Sequence, residues 1–191
     1  MAVPSSKAAG FITVVNVLRE ECDPADFARY AAALPAATAA LVEVAPMAIA
    51  WLPIDHFYAL VDTAQAVLFG GKDERVVAVG HRSIGRDVGT LYRAFVRLAS
   101  PEYVMSRTAQ LWGAYNRDHG TVTVVMRSPT AADVTYAGIP PRAPAAFWAF
   151  QRGALRAVLE ATGVRNVSTE LIPPAAAGAP TTIRVAGVRP G

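Results

Sequence analysis

The residues able to do chemistry are few: three histidines, one cysteine and an arginine-rich stretch, RVVAVGHRSIGRDVGTLYRAFVRL, at positions 75–98. Glycines at 80, 85 and 89 set among arginines suggest a loop that cradles phosphate. A Walker loop, however, follows its second glycine with Lys and then Ser or Thr, the lysine to reach phosphate and the hydroxyl to hold magnesium. Gly80 and Gly85 have the spacing, but Arg86 and Asp87 follow. The dinucleotide fingerprint also fails, since no two of these glycines stand two residues apart. Wound at helical pitch, the stretch separates into Val77, His81, Ile84, Val88, Leu91, Phe95 and Leu98 on one face, with Arg75, Arg82, Arg86, Arg93 and Arg97 roughly opposite. One amphipathic helix accounts for every residue class there. Its internal glycines, each ~1 kcal/mol worse than alanine in a helix, imply close packing.

Two chemistries remain open on that helix. The arginines form either a solvated face or a docking surface for an acidic protein partner, a phosphate or an anionic membrane, with Arg82 and Arg86 one turn apart and Arg93 and Arg97 beyond them. His81, on the apolar side, is either a hydrogen-bonded core residue or a ligand contact, a haem ligand included. His56 follows Asp55 near a helix start, and His119 beside Gly120 is placed to interact with a helix C-terminus. Histidines so scattered predict no metal site. Cys22, the lone cysteine, permits no internal disulfide and has no local activator beside Asp23. An enzymatic reading needs a site near His81 assembled with Asp62 or Tyr92, or paired acids such as Asp62 and Glu170. No motif names a catalytic residue or a cofactor.

The elements that must position these residues belong to one domain, since 191 residues match the usual domain size. Hydrophobic residues at 53% against 17% charged exclude a disordered chain. A net charge of +3 falls short of the dense basic clustering of a nucleic-acid footprint, so no nucleic-acid partner is expected. The lone cysteine and a start, MAVPSSKAAG, without an apolar run predict a reducing, cytoplasmic setting. The most apolar window, 31–60, is broken by Pro35, Glu43, Pro46, Pro53, Asp55 and His56, which argues for packed helices over a membrane span.

Residues 1–8 are expected to form a flexible lead-in and 10–18, GFITVVNVL, a first strand on β-branched content. Asp23 and Pro24 open a helix as N-cap and first helical residue, and a second helix runs through Ile54, Phe57, Val61, Ala64 and Leu68 to Gly70 and Gly71. Ser100, Pro101 and Glu102 open another, with Gly120 as its stop. Strands at 121–128 and 133–139 flank a turn, a helix ends at Gly163, and strands at 165–172 and 181–188 are joined by a mobile loop at 173–180. This order predicts an α+β fold, a helical layer on an antiparallel sheet of about four to five strands.

Trp51-x-Pro53, Gly80, Leu91-Tyr92, Ser100-Pro101-Glu102, Gly120 and Gly153 in the last helix occur in an order that resembles a conserved, uncharacterised protein family expanded in myxobacteria. The resemblance covers about residues 9–172. More remotely, the layout is similar to the 4-vinyl reductase domain and related small-molecule-binding and trafficking-complex proteins. That similarity implies an apolar internal pocket and dimerisation. The expectation for function is therefore a non-enzymatic cytosolic sensor or adaptor module, working as a homodimer and binding an apolar small molecule or a partner protein. Its ligand-binding residues are expected to be His81, Trp51, Phe57, Tyr58, Trp112, Tyr115 and Trp148. The alternative is a scaffolding protein that uses the arginine face.

Overall fold

The computed structural model describes residues 3–87, 99–176 and 178–189. In chain order they form β1 (Ser5–Lys7), α1 (Ala8–Glu21), α2 (Pro24–Ala33), α3 (Ala36–Glu43), β2 (Trp51–Pro53), α4 (Ile54–Thr63) with a π-helical turn at Ala64–Leu68, and α5 (Asp73–Asp87). Then follow α6 (Pro101–Tyr115), β3 (Asn116–Arg117), β4 (Thr121–Ser128), β5 (Ala131–Ala137), α7 (Ala145–Ala161), β6 (Arg165–Ile172) and β7 (Thr181–Val188). The α+β class is as expected. The main sheet is antiparallel in the order β4-β5-β7-β6, and a second, small sheet joins β2-β1-β3.

The expected first strand is corrected: residues 10–18 lie in α1. Phe11, Val14, Val15 and Leu18 are buried at helical spacing, and this period outweighs the strand preference of the valines. The strand lies just upstream, where a flexible lead-in is expected, with Ser5–Lys7 paired to Trp51–Pro53. The start of α1 lacks a side-chain cap. Carbonyls from the turn just before β2 substitute, with Ala50 and Ala48 accepting from the N–H groups of Ala8 and Ala9 at 2.8 and 2.9 Å. The other helix starts form as read: Asp23 accepts from the Ala25 N–H at 2.8 Å, and Ser100 from the Tyr103 N–H at 3.2 Å. The α6 helix stops at Tyr115, earlier than Gly120.

The GHRSIG segment is helical, and the helix extends to Asp87. Val88, Leu91, Tyr92, Arg93, Phe95, Arg97 and Leu98 lie outside the described residues. The buried face of α5 is Val76, Val79, Gly80 and Ser83, one position away from the expected stripe of Val77, His81 and Ile84. The cause is the crossing of α5 over α7. A Cβ on Gly80 would overlap the Phe150 carbonyl oxygen, and one on Gly153 would overlap the Val77 carbonyl oxygen and sit 2.8 Å from the His81 nitrogen. The two glycines let the backbones touch, and that contact sets the rotation of α5.

α7 therefore stands between two apolar clusters. One face packs Phe147 and Phe150 among the helices with Phe11, Tyr30, Phe57 and Leu60. The other sets Leu155 and Leu159 on Val134, Ile183 and Val185 of the sheet. On β5, Asp133 is in register with Arg184. Hydrogen bonds from Arg184 and Arg127 hold its carboxyl below the usual carboxylate range despite burial.

Candidate functional site

A cavity of about 400 Å³ opens among α1, α4, α5, α6 and α7, against the small sheet. Phe57, Trp112, Tyr136, Phe147 and Phe150 supply its aromatic wall. Behind that wall the rings lock edge to face: Tyr58 on Phe147 and Trp148 on both Phe147 and Tyr136, with ring centres 5.0–5.6 Å apart. The walls are therefore rigid, and their shape is set by packing within the core.

His119 anchors the wall from beneath. Asp118 (φ 51°) and Gly120 (φ 69°) both adopt left-handed backbone, and this turn brings the intervening histidine under Trp112 with ring centres 5.2 Å apart. The Asn116 Nδ2 donates to the Trp112 carbonyl at 3.2 Å, which leaves its Oδ1 to accept from His119 Nδ1 at 3.2 Å. His119 Nε2 then accepts from the Tyr58 hydroxyl at 2.6 Å. One neutral tautomer satisfies the whole chain. Burial, with Arg142 adding to it, lowers the His119 pKa to about 4. A neutral His119 contributes no cation to the helix end, contrary to the expectation.

The pH consequence follows from linkage. The unfolded chain takes up a proton near the ordinary value of 6.5, whereas the folded chain does so only near 4. The unfolded state thus binds more protons between those values, and stability rises with pH across the window; acidification through it should remove about 3 kcal/mol. His119→Gln, which can keep both hydrogen bonds, is expected to flatten this limb in thermal melts between those two pH values. An unchanged slope would show that another group titrates.

Of the residues expected to bind ligand, Phe57, Trp112 and Tyr115 line the cavity. Tyr58 and Trp148 stand one layer behind, and Trp51 sits on the small sheet with the Arg117 guanidinium 3.9 Å from its ring centre. His81 is elsewhere. It bonds Glu160 at 2.7 Å in a separate polar cleft that also contains Arg82, Arg152 and Arg156. Arg82 pairs with Glu21, and Arg86 holds Glu20 with both of its terminal nitrogens, at 2.9 and 2.5 Å. The acid these two arginines meet is the end of α1. Asp62, one of the acids considered for catalysis, is exposed.

Lining residues that the sequence reading missed include Lys7, Ser83, Thr108 and Gln151. Ser83 is 2% exposed, and neither its hydroxyl nor that of Thr108 has a hydrogen-bond partner among the described residues. The available signal was the pair Gly80 and Ser83, small residues three apart on what became the buried face of α5.

No protein-family model matches the sequence, and no curated protein sequence does. Solved structures do match. An Fe(II) unliganded H-NOX protein from K. algicida superposes with a TM-score of 0.66 at 11% identity, over 96% of this chain and 97% of that one. An oxygen-binding H-NOX domain related to soluble guanylate cyclases gives 0.65 at 11% identity, over 96% of both chains. A structure probing haem distortion in the H-NOX family gives 0.69 at 10% identity, over 97% of this chain and 96% of that one. The chain has the H-NOX fold over nearly its whole length.

The described residues that line the cavity do not fit haem. Iron in haem takes an axial His, Cys, Met or Tyr. No His, Cys or Met is among the described residues that line the cavity, and the segment 88–98 has none of the three, its one residue of a haem-ligating type being Tyr92, which lies outside the described residues. Both ring nitrogens of His119 are committed to Tyr58 and Asn116. Of the lining tyrosines, Tyr136 is held protonated by burial and donates to Gln151. Tyr115 has the Lys7 ammonium over its ring face, 5.4 Å from the ring centre, where it cannot serve the phenol oxygen.

Proposed function

We propose that the chain is a non-enzymatic sensor or adaptor module that binds a mostly apolar small organic molecule in this cavity, without haem. The cavity carries the reading: about 400 Å³ walled by rigid aromatic and aliphatic side chains, with a few polar groups facing in. The H-NOX fold supports it, because the neighbours include a domain that binds oxygen. The similarity to small-molecule-binding relatives of the 4-vinyl reductase domain points the same way. A catalytic reading at this cavity finds less support, since His81, bonded to Glu160, lines another cleft.

In this proposal the module works in the cytoplasm as a homodimer. No described helix is long and apolar enough to cross a membrane. Val44, Met47 and Ile49 expose 73–77% of their surface on one connection, an apolar patch suited to a second copy. Native mass spectrometry of protein purified from cells tests the ligand reading. The expected spectrum shows the chain carrying an organic molecule of a few hundred daltons, released on denaturation. Haem released in its place would refute the reading.

A further inference from the structure

We infer that the cavity selects an amphiphile with a single anionic head, a carboxylate on an aliphatic chain, and with a second hydrogen-bonding group along that chain. The inference rests on the reading of the cavity as a ligand site. Lys7 is the one charged residue among the described lining residues, and no carboxylate lines the cavity with it. It sits at the N-cap of α1, whose first turn carries no acidic residue, so its ammonium adds to the positive end of that helix. Trp51 and Tyr115 hold the ammonium between them, 5.6 and 5.4 Å from their ring centres. These contacts position the charge without neutralising it, and Lys7 has no ion-pair partner among the described residues. Ser6 and Tyr115 add hydroxyls at the same end of the cavity, beside the small sheet.

The second group is marked by a separate observation. Ser83 on α5 and Thr108 on α6 line the cavity away from the small sheet, and their buried hydroxyls have no hydrogen-bond partner among the described residues. A buried hydroxyl left unpaired is destabilising, so two beside one apolar cavity fit a ligand that brings its own hydroxyl or carbonyl. A single ammonium matches a monoanion. The surrounding aromatic and aliphatic walls match the tail.

The test compares dodecanoate, dodecanol and dodecylammonium by intrinsic tryptophan fluorescence and calorimetry on the full chain. Dodecanoate is expected to bind at least about tenfold tighter than the alcohol, the size of one charge-assisted hydrogen bond, and the ammonium weakest. Lys7→Met should erase the preference of acid over alcohol, and a Tm close to that of the unsubstituted chain shows that the variant folds. A mid-chain hydroxylated acid should bind tighter than dodecanoate, and Ser83→Ala with Thr108→Val should remove that gain. Equal binding of the three probes, preference for the ammonium, or an acid preference that survives Lys7→Met would overturn the head-group assignment and leave the cavity reading standing. Failure of all three to bind would overturn both. A hydroxylated chain that binds worse would overturn the second contact.

Discussion

Gly153→Leu is expected to destabilise the domain by about 3 kcal/mol or more, the upper end of overpacking penalties, and to lower Tm by roughly 10 °C. The clash is with backbone. A side chain here meets the Val77 carbonyl and the His81 nitrogen, and neither can change rotamer to make room. The two helices would have to separate at the contact that fixes how α5 faces the core. Loss should therefore extend to the cavity, whose wall includes Ser83 and Ile84 from α5. Gly113→Ala is the contrast, since a Cβ there meets nothing within 4 Å among the described residues and α6 continues through it. This variant should gain up to about 1 kcal/mol from helix propensity. Equal Tm values for the two variants would show that the crossing is not tight.

Ser83→Leu should do the opposite to stability while weakening ligand binding. The substitution removes a buried hydroxyl that has no hydrogen-bond partner among the described residues and fills part of the cavity with apolar carbon. Cavity filling of this kind contributes about 0.5–2 kcal/mol, which predicts a rise in Tm. Ligand affinity should fall by about two orders of magnitude, because an occupant loses both volume and a wall contact. A native core residue would behave otherwise: overpacking would lower Tm. The combination of higher Tm and lost binding is thus the signature of a site maintained against stability. Denaturation curves and probe titrations on the same preparation check both halves.

Local chemistry made much of the fold legible. Asp23-Pro24 and Ser100-Pro101 act within one turn of themselves, and β6 and β7 fall on the expected residues because short alternating runs between breakers leave little choice. Residues 10–18 misled because valine, isoleucine and threonine favour strands in isolation. Only the spacing of Phe11, Val14, Val15 and Leu18 reveals the helix. The site was harder to read. A cavity is space left by five helices, and which faces leave it depends on crossings such as Gly80 on Phe150 and Gly153 on Val77. The same crossing turned His81 away to Glu160 and turned Ser83 inward. Aromatic count pointed to the neighbourhood of the cavity, yet could not separate Trp112 on the wall from Trp148 behind it.

Titration of the purified chain with dodecanoate in the presence of equimolar haemin, followed by calorimetry and visible absorbance together, tests most directly that this H-NOX fold serves an apolar ligand without iron. Saturable dodecanoate binding at one site per chain, undisturbed by haemin and without the absorbance of ligated haem iron, is the predicted result. Stable haem uptake with an axially ligated spectrum that blocks dodecanoate would contradict it.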